Sequence, residues 1–170
     1  SYKKDEHHGV TRYYSPEGMP LLEKMYLEGD LLAWRVINEN EENSPWIDFS
    51  GTATISVKNS TSQVVFEETY SDGVRHGYQR MYFSNGKLHE EYRYDRGDLH
   101  GPFVVNYPNG KVKERGTFKR DELDGKMESF NPDGSALVVE HYSMGSLHGK
   151  ATYFTKAGIK EYTFWDGIIE

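Results

Sequence analysis

The sequence predicts an all-β protein: an extended antiparallel sheet of tandem β-hairpins, each about 24 residues long. Three observations carry that expectation. Glycines recur on a fixed grid, aromatic residues keep step with them, and the stretches between are rich in β-branched and aromatic residues bounded by turn chemistry.

Gly77, Gly101, Gly125 and Gly149 lie 24 residues apart, and Gly86, Gly110, Gly134 and Gly158 follow them by nine. Gly9 and Gly18 repeat the nine-residue spacing near the N-terminus. A third series falls twenty residues after the first, at Gly29, Gly97 and Gly145, and includes Gly73 if a unit begins at Ala53. Tyr26, Tyr70, Tyr94, Phe118 and Tyr142 stand three residues before the third mark, while Tyr14, Tyr82, Phe130 and Phe154 stand four before the second. One repeat domain over 1–170 follows, with units near 9–32, 33–52, 53–76, 77–100, 101–124, 125–148 and 149–170. The unit 33–52 is short and degenerate, and 53–76 keeps only its second half clearly.

Within a unit, Phe103-Val104-Val105-Asn106-Tyr107 reads as a strand, Pro108-Asn109-Gly110 as a turn, and Lys111 to Phe118 as the returning strand. Glycine closes that turn because it accepts positive φ without a Cβ clash, as a three- or four-residue hairpin loop with a bulge requires. At the first mark, where a strand begins, a missing side chain would let the aromatic ring of a neighbouring hairpin lie on the backbone. Seven hairpins stacked at roughly 4.8 Å per strand would make a curved ribbon on the order of 65 Å long, a shape that implies no active-site cleft.

The formal charge of −7 argues against phosphate-backbone binding, which needs a concentrated basic face, and against attraction to anionic lipid. It favours a basic protein partner. With no cysteine there is neither a disulfide framework nor thiolate chemistry, which fits a cytosolic or a periplasmic home equally. The chain opens Ser1-Tyr2-Lys3-Lys4 rather than with Met, leaving room for a removed targeting segment.

Catalysis finds little support. Gly-x-Ser-x-Gly, the phosphate-cradling Gly-x-x-x-x-Gly-Lys-Ser/Thr and His-Glu-x-x-His are all missing, so the expectation is a protein that is not an enzyme and takes no cofactor. His76, His100 and His148 occupy equivalent positions, but successive hairpins would hold them roughly 9.6 Å apart where zinc needs each nitrogen at ~2.1 Å, so a turn role is expected and no metal. Glu23, Glu67, Glu91 and Glu161 also recur, and read as solvated strand positions. Asn59-Ser60-Thr61 has the letters of a glycosylation sequon and coincides with a turn.

The segment that breaks the grid, from Trp34 to Phe49, is the candidate binding site. Irregular insertions in repeat proteins map to a functional face. This one gathers Glu39, Glu41, Glu42 and Asp48 with Trp46 and Phe49, acids that would steer a basic partner and rings that would anchor it. The competing expectation is that the acids are a solvated loop and that Trp34 and Trp46 fill the core. A calcium site is not expected, because the spaced oxygen-ligand loop is missing.

Tyr82-Phe83-Ser84-Asn85-Gly86-Lys87, followed by Glu91-Tyr92-Arg93-Tyr94-Asp95-Arg96-Gly97-Asp98-Leu99-His100-Gly101, resembles the MORN-repeat family in its bacterial variant. The likeness covers 7–31 and about 67–170, and 33–66 departs from it. The resemblance implies a hairpin-array fold and, through the YwqK-type antitoxins of that group, an immunity or antitoxin protein that neutralises a toxin by covering it. Other proteins with MORN repeats imply a different role, as scaffolds or membrane-proximal modules.

Overall fold

A computed structural model describes residues 8–37, 44–49 and 51–170, and these hold strands and turns with no helix. The hairpins form where the glycine grid puts them, but they divide between two antiparallel sheets. The first runs β1 (Gly9–Tyr14), β2 (Pro20–Leu27), β3 (Asp30–Val36), β4 (Ile47–Asp48). The second starts with β5 (Ala53–Lys58), β6 (Val64–Ser71), β7 (Val74–Tyr82), β8 (Leu88–Asp95), β9 (Asp98–Asn106) and β10 (Val112–Lys119). It continues through β12 (Gly125–Phe130), β13 (Ala136–Ser143), β15 (Gly149–Thr155), β16 (Gly158–Trp165) and β17 (Ile168–Ile169), while the short strands β11 (Glu122–Leu123) and β14 (Ser146–Leu147) pair with β10 and β13.

Each glycine series has its own mechanical reason. The second mark closes the long hairpin turn: the Phe83 amide donates to the Lys87 carbonyl, the Gly86 amide donates back to Phe83, and the register slips by a bulge at Met81/Tyr82. The third mark lies in the two-residue turns between hairpins. There both central residues have positive φ, as in Arg96 (49°) and Gly97 (91°), the signature of a type I′ turn that matches strand twist. At the first mark the chain bulges. Tyr94 pairs with Leu99 and Glu91 with Val104, so β9 carries two more residues than β8 across the junction at His100-Gly101. Gly101 takes φ +110° there and lies opposite Phe118.

The ring-over-glycine expectation for the first mark is therefore replaced by a backbone requirement. That packing does occur at Gly116, off the grid, where an added Cβ would stand 2.8 Å from the Phe103 ring. Phe103 stacks on Tyr92 at 5.6 Å and meets Phe118 at 4.9 Å, giving the middle of the second sheet its own aromatic core. The unit 53–76 is complete despite its weak first half, with Ala53 opposite Tyr70 as Gly77 is opposite Tyr94.

The ribbon breaks at 33–52. Ala33 stands where a junction glycine would, and the chain passes it with one extra residue, Leu32, instead of two: Tyr26 pairs with Leu31 and Met25 with Ala33. β3 ends the hairpin succession, and among the described residues only the two-residue β4 pairs with its far edge. The first sheet then packs on β5, β6 and β7, burying Leu22, Tyr26 and Leu31 against Ile55, Val57, Phe66, Tyr70 and Met81. Full burial of side chains of this kind stabilises by about 1.5–3 kcal/mol each, so the interface between sheets is the main core.

Candidate partner-binding site

The sequence-predicted site residues fall into three groups. Glu39, Glu41 and Glu42 lie outside the described residues. Trp46 and Asp48 reach the outer edge of the first sheet, where Ile47 pairs with Trp34 and Asp48 with Ala33. Asp48 and Ile47 are exposed, and Trp46 is half-buried beneath the Arg35 guanidinium, 4.5 Å from its ring centre. Phe49 turns inward: its amide donates to the Leu32 carbonyl and its ring meets Tyr70 edge-on at 5.4 Å. Trp34 also packs against the main core. Of the aromatic residues named, Trp46 is the one that stays at the rim.

A cleft of about 690 Å³ opens between the two sheets near their long turns, lined by Met19, Leu21, Val36, Ile37, Val57 and Val65 among others. Val36 and Ile37 are the last described residues before the acidic stretch, and Ser44, the first after it, donates its amide to the Val36 carbonyl. Both ends of the acidic segment are thus fixed beside an apolar cleft, a feature that periodicity could not reveal because the cleft needs two sheets.

The recurring glutamates correct the expectation of solvated positions. Glu23 is buried on the outer side of β2, accepting from Arg12 at 2.7 Å and from Arg35 at 2.7 Å. The Arg12 hydrogen bond holds its carboxyl below the usual range. Glu91 accepts from Arg80 at 2.6 Å and also meets Arg93. Of the four, Glu161 is the exposed one. Opposite charges placed across neighbouring strands stabilise a sheet face, which explains the recurrence without catalysis. The histidines serve their own junctions, as with His76 beside Asp95 at 3.4 Å and His148 beside Asp166 at 3.4 Å. No cluster of metal-binding side chains occurs among the described residues.

Sequence reasoning missed the charged group between the sheets. Lys24 on β2 is fully buried, ion-paired to the fully buried Glu68 on β6, with its ammonium 4.0 Å from the Tyr13 ring centre. Arg75 on β7 reaches the other Glu68 oxygen at 2.8 Å and donates to the Tyr13 hydroxyl at 3.0 Å. Tyr70 donates to Glu68 at 3.0 Å. Burial pushes the Lys24 ammonium pKa down, with Glu68 opposing, and drives the Tyr13 and Tyr70 phenols well above their ordinary value. The signal was present in Leu22-x-Lys24-x-Tyr26, which puts the lysine on the same strand face as two core residues.

Residues 75–96 and 99–120 match the sequence profile of the MORN repeat variant. Those spans cover the hairpins from β7 to β10. MORN repeats are non-catalytic units that generally serve as protein or membrane interaction modules, which accords with a site made of surface rather than of reacting groups. No curated protein matches the chain.

Proposed function

We propose that the protein is a binding module that neutralises a basic protein toxin stoichiometrically, with the acidic segment around Glu39, Glu41 and Glu42 and the rim residues Trp46 and Asp48 covering the toxin's working surface. The observation that carries this reading is the edge of the first sheet. Ile47, 47% exposed, and the exposed Asp48 stand beside Trp46, so apolar and acidic contacts adjoin on a strand that follows the acidic stretch in sequence. Aromatic and apolar anchors supply affinity, while the acids speed the approach of a cationic partner. Phe49 supports the surface from beneath, through Tyr70.

The test is capture of the partner followed by inhibition and kinetics. Replacing Glu41, Glu42 and Asp48 together by Lys should slow association with the captured partner at least tenfold at low salt and abolish inhibition, with the melting transition unchanged. Unchanged association removes this edge from the interface. A diffuse set of structural or membrane proteins, none of them inhibited, would favour a scaffold instead.

A further inference from the structure

The Glu-x-Tyr pair that meets Lys24 recurs along the array. Glu140 stands three 24-residue periods after Glu68, and Tyr142 stands three periods after Tyr70. The geometry repeats with the spacing. Tyr70 donates to Glu68 at 3.0 Å, and Tyr142 donates to Glu140 at 2.9 Å. Glu68 lies opposite Ile55 in its hairpin and Glu140 opposite Met127, an apolar neighbour in both cases. The intervening equivalents, Tyr92 and Gly116, carry no carboxylate.

What differs is the cover. Glu68 lies under the first sheet with Lys24 and Arg75 against it, whereas Glu140 is half-buried and no cationic side chain among the described residues pairs with it. Two phenols bond it instead, Tyr142 and, at 2.7 Å, Tyr153. Phenol hydrogen bonds orient a carboxylate without neutralising it, and aromatic rings beside an anion favour an alkylammonium.

We propose that Glu140, Tyr142 and Tyr153 form an open lysine-binding pocket, and that it takes the ammonium of a lysine presented on an extended strand of a protein partner. The molecule's own β2 shows the mode, a lysine carried face-on into a Glu-x-Tyr site. Lysine fits better than arginine. Each Glu140 oxygen already accepts one hydroxyl, which disfavours a planar two-pronged donor but leaves room for a point charge. The assignment rests on the partner-binding reading above and names a contact on a different part of the molecule from the acidic edge.

The test uses the full chain and a synthetic peptide of residues 19–29, which bears Lys24 in its own strand sequence, alongside the same peptide with norleucine in place of the lysine. Ring resonances of Tyr142 and Tyr153 should shift saturably with the lysine peptide. Glu140→Gln and the norleucine exchange should each weaken binding about tenfold, and together no more than either alone, because both remove one interaction. Glu161→Gln, an exposed carboxylate that stands opposite Thr152 rather than Tyr153, should bind the peptide as the parent does, which separates loss of this carboxylate from a general loss of negative charge. The pocket is overturned by the absence of a saturable shift, by additive losses, or by shifts confined to Tyr70, which would mean that the peptide displaces β2. If instead the acidic-edge variants bind their partner normally while the peptide results hold, the edge leaves the interface and the pocket stands.

Discussion

The two Glu-x-Tyr sites, at Glu68 and at Glu140, share spacing, register and an internal tyrosine hydrogen bond, yet one is a structural element and the other a surface. The first lies beneath β2, fully buried, its charge matched by Lys24 and Arg75. The second lies past the reach of the first sheet. In a repeat array the same residues can hold a fold together or be offered to a partner, and the layer above them decides which.

The hardest way to break that comparison is to remove one buried ion. Lys24→Ala should cost about 3–5 kcal/mol in urea denaturation, because it leaves the Glu68 charge in the core, with the Arg75 bond drawing the value toward the lower end. Replacing both partners, Lys24→Met with Glu68→Leu, should recover most of that loss, since desolvation is then avoided. At the exposed copy, Glu140→Gln should change stability by less than about 0.5 kcal/mol. Equal losses at the two sites would mean that cover does not separate them.

A smaller effect comes from the junctions. Gly101→Ala should cost about 1–2 kcal/mol, since φ +110° is strained for any side chain and the new Cβ would stand 3.3 Å from Arg93 Cβ. Ala53 shows the contrast. It sits on the same mark opposite a tyrosine, yet β5 begins the second sheet, so no strand precedes it across a bulge and no glycine is needed. A melting shift at Gly101→Ala as small as that of an exposed strand substitution would refute the bulge as the reason for the first glycine series.

These junctions also show why the hairpins were legible in the sequence and their arrangement was not. Glycine, proline and asparagine act through local backbone geometry, so the turns after Tyr82 and Phe130 could be read residue by residue. The split into two sheets falls at the grid break, where Ala33 stands in place of a junction glycine and a one-residue bulge in place of a two-residue one, a difference with no compositional weight. Lys24 and Glu68 are 44 residues apart and meet only because the sheets stack, so nothing in the repeat pattern singled out either. Among the candidate binding residues, Phe49 was drawn inward by Tyr70 for the same long-range reason, while Trp46 and Asp48 stayed at the edge.

The smallest effect sharpens the comparison without unfolding anything. Tyr153 has its phenol pKa pushed up to about 12, chiefly by the hydrogen bond it donates to Glu140, while burial is the chief cause for Tyr70. A raised folded pKa means that the stabilising contribution is complete below the unfolded value near 10 and is lost as pH rises toward about 12. In Glu140→Gln the anion that repels a phenolate is gone, so Tyr153 should ionise closer to 10, reversibly and within the folded chain, as followed by its ring resonances. Tyr70 should remain un-ionised until the sheets separate, in the variant as in the parent. If Tyr153 titrates unchanged in the variant, its hydroxyl is not held by Glu140, and the resemblance between the covered and the open site would reduce to spacing alone.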